Sequence, residues 1–195
     1  MSAALPSSTP PHFPHYPRSY EHDRFERVEC RCDACGLVRD LRYAGGMSGP
    51  RRPSYVCAWC VADGTAAERL GVELNDRSWI EGVPEKAFVS ERVGHVGPVD
   101  VDEARTVAYR TPAYVSWQGS RWLSHCGRPC AFTGHVGAHD LLPHLAEPDL
   151  AADVDGVVGH DRQFVLGYLE AEGDMAGYLF TCLVCGAHRL HADVI

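Results

Sequence analysis

The sequence is poor in lysine, and Lys86 is the single lysine among its 195 residues. Lysine and arginine together number 18 against 26 aspartate and glutamate residues, so the formal net charge is −8. Proteins that bind nucleic acid generally need clustered basic side chains, because these displace counterions from phosphates. The densest basic pair here, Arg51 and Arg52, is isolated. The composition therefore disfavours nucleic acid and suits a basic protein partner, although ordinary acidic solubility explains it equally well.

Long apolar runs are also missing from this chain. No stretch approaches the roughly 20 apolar residues that cross a bilayer, so no membrane partner is expected. Residues 1–6 lack the basic and continuous apolar regions that are typical of a signal peptide. We therefore expect a cytoplasmic protein.

Nine cysteines are present, and in a reducing compartment paired cysteines indicate metal binding more often than disulfides. Eight of them fall into four closely spaced pairs, and Cys30 is the ninth. Cys30 could replace Cys32 as a ligand, but its spacing from Cys35 makes a poorer pair. We expect Cys30 to be a small buried residue or an exposed thiol without a role.

The first two cysteine pairs have the spacing of zinc ligands. Cys32 and Cys35 form a Cys-x2-Cys pair followed by Gly36, and Cys57 and Cys60 form a second pair after 21 intervening residues. Each pair can turn two sulfurs towards one ion, and the glycine permits a positive φ that brings backbone N–H groups to a thiolate. Zinc is the expected occupant. A redox dithiol and buried free thiols are the alternatives.

Two pairs remain for a second zinc site. Cys182 and Cys185 repeat the first pattern, whereas Cys126 and Cys130 have the wider Cys-x3-Cys spacing, which is a weaker signal. A loop of 51 residues separates these pairs. The entropic cost of closing such a loop is acceptable, because it grows only with the logarithm of loop length. All four cysteines are the expected ligands, and the alternative is that a histidine replaces one of them. The histidines near this site in sequence are His125, His135, His139 and His188.

The N-terminal segment is rich in proline, with five in the first 17 residues. Proline cannot donate backbone hydrogen bonds, so residues 1–24 are expected to form an arm that is largely disordered or draped over the surface and begins to dock at Phe13, His15 and Tyr16. Residues 25–195 are expected to form one domain that contains both zinc sites. His12, His15 and His22 are interpreted as exposed histidines of the arm, with a metal-binding tail as the alternative.

Local patterns predict a mixture of helices and strands. Thr65 and Glu68 have capping-box spacing, which predicts a helix from Thr65 to about Leu70. Helical periodicity predicts two more helices, over 99–109 and 163–169, and apolar segments on either side of the last cysteine pair predict flanking strands. The expected fold is α+β, with two zinc-ribbon-like modules, short antiparallel sheets and a few helices.

A polar and aromatic segment precedes the third cysteine pair. Its aromatic side chains could form the wall of a pocket in which its polar side chains bind a ligand or partner. The favoured alternative is that the aromatic side chains pack between the two zinc modules. The members of this candidate cluster are Arg110, Tyr114, Trp117, Gln118, Trp122 and His125.

Ordered motifs along most of the chain carry a family likeness. They are Cys32-x2-Cys35-Gly36, Cys57-Ala58-Trp59-Cys60, Arg110-Thr111-Pro112-Ala113-Tyr114, Trp122-Leu123-Ser124-His125-Cys126 and Tyr178-Leu179-Phe180-x-Cys182-x2-Cys185-Gly186. Together these motifs resemble the CbrC family, which is associated with colicin tolerance. Ala58 and Ala113 stand where that family usually has proline and glycine, and neither change removes an expected metal ligand. The resemblance implies a theme of toxin tolerance and no catalytic residues.

These observations lead to one leading functional hypothesis. Four cysteines per ion leave no coordination position for substrate, so two structural zinc ions are expected. We expect a non-enzymatic protein that confers tolerance or immunity to a colicin-like bacterial toxin by binding the toxin or its target. The alternative is a zinc-ribbon nucleic-acid-binding or regulatory adaptor. A small-molecule enzyme ranks third, because the sequence shows no Ser-His-Asp order, phosphate loop or open metal triad.

Overall fold

The computed structural model describes residues 9–83, 99–157 and 159–194. The strands are β1 (Phe25–Arg31), β2 (Val38–Tyr43), β3 (Ser124–His125), β4 (Arg128–Pro129), β5 (Ala131–Val136), β6 (Leu169–Glu170), β7 (Met175–Thr181) and β8 (His188–Val194). The α-helices are α1 (Ala58–Ala62), α2 (Thr65–Leu70), α3 (Val101–Arg110), α4 (Ala138–Leu141), α5 (Pro148–Asp155) and α6 (Arg162–Tyr168). Short 3-10 helices span Arg77–Trp79 and Leu142–His144. The fold is therefore α+β, as predicted.

Two antiparallel hairpins, β1–β2 and β7–β8, carry the same Cys-x2-Cys-Gly turn, which is a candidate metal-binding turn. In the first hairpin the Gly36 N–H donates to the Cys32 carbonyl at 2.7 Å, and in the second the Gly186 N–H donates to the Cys182 carbonyl at 3.0 Å. The two glycines have φ of 71° and 78°, a left-handed conformation that a side chain would strain. The repeated Cys-x2-Cys-Gly pattern thus encodes two zinc-ribbon-like hairpins.

Strand β7 lies at the centre of the larger sheet. It pairs with β8 along its whole length, with β5 antiparallel and with β6 parallel. In this register Ala131, the first residue of β5, lies opposite Thr181, the residue before Cys182. The β3–β4 hairpin, which immediately precedes β5, is thereby placed beside the second metal-binding turn.

The core between the two hairpins is aromatic. Tyr114 stacks on Phe132 with ring centroids 4.4 Å apart, and Trp122 meets Phe180 edge to face at 5.8 Å. Trp122 is fully buried, and its Nε1–H donates to the Cys130 carbonyl at 2.8 Å. Tyr114 and Trp122 therefore pack as core residues, whereas Trp117 is 61% exposed.

A smaller apolar cluster lies under helices α4 to α6. Leu141, Leu150 and Val165 from these helices are fully buried and share the cluster with Met175 of β7 and Leu190 of β8. Among the described residues, no helix combines the length and the apolar character needed to cross a membrane.

Part of the proline-rich arm packs against the domain. Phe13 stacks on Phe25 with centroids 5.2 Å apart, Tyr16 meets Phe132 edge to face, and both arm residues are buried. His15, expected to be exposed, is buried and bonded to Glu103 at 2.9 Å. The arm therefore docks at the expected residues Phe13, His15 and Tyr16, and residues 1–8 lie outside the described part. Proline prevents a regular ladder, but burial of the aromatic side chains between the prolines stabilises the docked segment.

The predicted helix at Thr65 is present, but its cap is different. Helix α2 runs over Thr65–Leu70, and Gly64 occupies its N-cap with φ of 85°. The Asp63 carboxylate accepts the Thr65 N–H at 2.8 Å, in place of the predicted capping box. The Asp63-Gly64 pair therefore starts the helix, because glycine adopts this backbone conformation without strain.

Trp122→Ala should destabilise the protein much more than Trp117→Ala. Loss of the fully buried Trp122 indole leaves a cavity and an unpaired carbonyl at Cys130, which should lower the free energy of unfolding by about 3–5 kcal/mol. Loss of the exposed Trp117 indole should change it by less than about 1 kcal/mol. Denaturant unfolding at fixed metal content measures both values. Equal losses would contradict the aromatic core described above.

Candidate metal centres

The first candidate centre joins the β1–β2 hairpin to helix α1. The sulfur atoms of Cys32, Cys35, Cys57 and Cys60 all lie within 4.8 Å of one another. Cys57 is the N-cap of α1 and Cys60 lies in its first turn, so the helix start turns both sulfurs towards the hairpin. The Cys57 N–H donates to the Cys32 sulfur at 3.3 Å. Three of these cysteines are buried and Cys35 is half-buried.

Three of these thiols, those of Cys32, Cys57 and Cys60, oppose one another's ionisation. Hydrogen bonds from the Cys57 and Cys60 thiols lower the pKa of Cys32 far below its usual range. The same contact with Cys32 raises the pKa of Cys57 to about 12 and also raises the pKa of Cys60. One thiolate is therefore stable alone, and four together require a cation. Four converging thiolates are the donor set that zinc prefers in structural sites, so these residues fit that ion.

The second candidate centre joins the β7–β8 hairpin to the β3–β4 hairpin. Its ligand atoms belong to His125, Cys126, Cys182 and Cys185 and lie within 4.8 Å of one another. Nδ1 of His125 is 3.3 Å from the sulfurs of both Cys126 and Cys185. Cys126 and Gly127 form the two-residue loop between β3 and β4, with φ of 50° and 74°. These positive values are typical of a type I′ turn. The turn brings the adjacent residues His125 and Cys126 to the same centre.

Cys130, the fourth ligand expected from sequence, is not a member of this group. It precedes β5 with its side chain fully buried in the core, where burial raises the pKa of its thiol to about 12. The structure brings His125 to the centre instead, which was the alternative left open. The tight turn at Cys126-Gly127 explains the exchange, because the chain has already entered the core four residues after Cys126.

A carboxylate orients the His125 ring. Nε2 of His125 lies 3.3 Å from Oδ2 of Asp149 on α5, while Nδ1 faces the sulfurs. The Cys182 sulfur and the Asp149 carboxylate raise the pKa of His125. Histidines that bind zinc commonly donate their second ring N–H to a carboxylate in this way, which fixes the tautomer. Asp149 is 24 residues from His125, so short motif spacing gave no signal for this contact.

The half-buried Arg189 holds the β3–β4 hairpin in place. Its guanidinium donates to Asp153 at 2.7 Å, to the Ser124 carbonyl at 2.7 Å and to Glu81 at 3.2 Å. Glu81 in turn accepts the Ser124 N–H at 2.8 Å. Asp153 lies one turn after Asp149 on α5, so this ionic network also positions the carboxylate that meets His125.

The candidate ligand cluster is dispersed in the structure. Arg110 donates to the Ala62 carbonyl at 2.8 Å, and Gln118 donates to the Val194 carbonyl at 2.5 Å. Trp117 contributes to a cavity of about 580 Å³ that His135 and Tyr178 also line. Since Tyr114 and Trp122 lie in the core and His125 at the second centre, the six residues do not converge on one pocket.

The remaining candidate ligands lie elsewhere. Cys30 is exposed on β1 and His139 is exposed on α4. His135 bonds the Val115 carbonyl at 2.8 Å through Nε2. His188 is not a ligand of the second centre and instead groups with His144 and Glu147.

Comparison with known proteins places this architecture in a family. Residues 10–194 match the family model described as "Uncharacterised protein family (UPF0167)". The chain belongs to UPF0167. It is 32% identical over 201 residues to the UPF0167 proteins of Mycobacterium bovis and Mycobacterium tuberculosis, with 96% of each chain covered. It is also 32% identical over 189 residues to a UPF0167 protein of Pseudomonas aeruginosa, which covers 94% of this chain and 96% of that relative. No solved structure matches.

His125→Ala and Cys130→Ala distinguish the two ligand sets for the second centre of this UPF0167 protein. We expect the native chain and Cys130→Ala to hold about two zinc ions, and His125→Ala to hold about one, because a missing ligand opens the tetrahedral shell. Elemental analysis after purification in reducing, chelator-free buffer measures the content. Zinc loss in Cys130→Ala with full retention in His125→Ala would instead support the four-cysteine set.

Proposed function

We propose that this UPF0167 protein is a non-enzymatic, zinc-stabilised protein that acts by binding another protein. The observation that carries the proposal is that two separate groups each supply four protein ligands, one with four cysteines and the other with one histidine and three cysteines. Four protein ligands complete a tetrahedral shell and leave no position for water or substrate. The ions would then contribute folding free energy rather than catalysis.

Charge supports a basic partner. Seven thiolates add seven negative charges and two zinc ions add four positive charges, so the formal charge of −8 becomes about −11. Such a balance accelerates encounter with positively charged proteins and opposes approach to phosphate backbones.

The two metal-binding turns also present apolar side chains. Leu37 and Val38 follow the first turn and are 46% and 53% exposed, and Leu183 and Val184 within the second are 49% and 59% exposed. Apolar side chains on a rigid turn lose little conformational entropy when a partner covers them. These two apolar pairs are the contact points that we propose for a protein partner.

The CbrC resemblance supports a more specific role. We propose that the partner is a colicin-like toxin or its target, and that binding confers tolerance or immunity. A toxin domain that cleaves DNA must carry basic side chains to engage phosphates. It is therefore the partner class that best complements an acidic protein with exposed apolar turns.

Calorimetric titration with a purified DNase-type colicin domain tests this proposal directly. We expect saturable binding that weakens with salt, together with improved survival of toxin-challenged cells that express the protein. Val184→Asp should weaken binding, whereas Tyr168→Ser, on α6 and 62% exposed, should leave it unchanged and serves as the matched surface control. Absence of binding to the toxin domain, together with unchanged survival, would contradict the toxin role.

Nucleic-acid binding is predicted to be weak at physiological salt. The chain has one lysine, scattered arginines and an excess of acidic residues, so it lacks the basic cluster that would neutralise several phosphates at once. Gel-shift titrations against random duplex and single strands measure this affinity. Micromolar or tighter binding that falls steeply with salt would favour the zinc-ribbon adaptor over the protein-binding role.

A further inference from the structure

A third group of metal-binding side chains lies outside the two cysteine centres. The ligand atoms of His144, Glu147 and His188 are within 4.8 Å of one another. Oε1 of Glu147 is 3.0 Å from Nδ1 of His144 and 2.8 Å from Nδ1 of His188. The two imidazole rings lie with their centroids 3.9 Å apart. Two ring nitrogens thus converge on one carboxylate oxygen.

Three backbone elements position these residues. His144 ends the 3-10 helix Leu142–His144, and its carbonyl accepts the Glu147 N–H at 2.9 Å. Glu147 is the N-cap residue of α5, and His188 is the first residue of β8. The second carboxylate oxygen of Glu147 accepts the His188 N–H at 2.8 Å. This hydrogen bond leaves Oε1 directed towards the two imidazoles. In metal sites, hydrogen bonds from surrounding groups orient the ligating carboxylate in the same way.

Charge and access both suit a cation. The Glu147 carboxylate accepts the His188 backbone N–H and lies within hydrogen-bond distance of both imidazoles. A glutamate is ordinarily ionised at neutral pH, so this carboxylate supplies a negative charge. The side chains of His144, Glu147 and His188 are 33%, 32% and 19% exposed, so an ion can reach them from solvent.

We propose that His144, Glu147 and His188 form a third metal site, which binds a divalent transition-metal ion such as zinc or cobalt. Two imidazoles and a carboxylate are nitrogen and oxygen donors that suit these ions. Three protein ligands leave at least one coordination position open to water or to an exogenous ligand, unlike the two cysteine centres. The site is thus chemically distinct from the structural ions and goes beyond the proposed protein-binding role.

Cobalt titration of the untagged full chain, with both cysteine centres first filled with zinc, tests the third site. We expect one further equivalent of Co²⁺ to bind with weak visible absorption and without sulfur-to-cobalt charge transfer, because no thiolate belongs to this group. Zinc should displace this cobalt. His144→Gln and Glu147→Gln should weaken its binding by more than about 10-fold while both structural zinc ions are retained. His139→Ala, which removes an exposed histidine of α4, is the matched control and should bind normally.

Three outcomes would overturn the proposal. Absence of a further equivalent would show that the three side chains form only a hydrogen-bonded cluster. Charge-transfer absorption from the added cobalt would place it on cysteines. Unchanged binding in His144→Gln and Glu147→Gln, or loss in His139→Ala, would assign it to adventitious surface histidines. None of these results would alter the zinc content or the partner binding on which the proposed function rests.

Discussion

Repulsion between neighbouring thiolates is the constraint on which the metal modules depend. Four sulfurs at the first centre lie close enough that ionisation of Cys32 opposes ionisation of Cys57 and Cys60. A divalent ion would remove this opposition and link the hairpin that carries Cys32 to the helix that begins after Cys57. Metal affinity and folding free energy are then the same quantity for this part of the chain.

The two centres reach similar ligand geometry by different means. In the first, the start of α1 supplies two cysteines from a buried position. In the second, the β3–β4 hairpin supplies His125 from the end of β3 and Cys126 from its two-residue loop, and the ionic network of Arg189 fixes that hairpin against α5. Removing one partner of this partly buried ionic network would leave a charge without its partner. The second centre is therefore the more sensitive of the two to substitutions far from the ion.

The local parts of this architecture could be predicted from sequence, and the non-local parts could not. Closely spaced cysteines followed by glycine specify a turn through local backbone preferences alone. Asp63-Gly64 specifies the start of α2 in the same way. The exchange of Cys130 for His125 depends on the pairing of β5 with β7 and on Asp149, which short motif spacing does not show. Docking of the arm at Phe13 and Tyr16 could be predicted, whereas the rings that they meet, Phe25 and Phe132, could not, because these lie elsewhere in the chain. His144, Glu147 and His188 meet only because α5 packs beside β8.

Only two residues separate Cys185, a member of the second centre, from His188, a member of the proposed third site. An ion bound to the sulfurs restricts the β7–β8 turn and so restricts the position of the His188 ring. The two occupancies should consequently show positive cooperativity, and by thermodynamic reciprocity each ion raises the affinity of the other by the same factor. The short segment between Cys185 and His188 would then make metal affinity at the proposed third site depend on whether the second cysteine centre holds an ion.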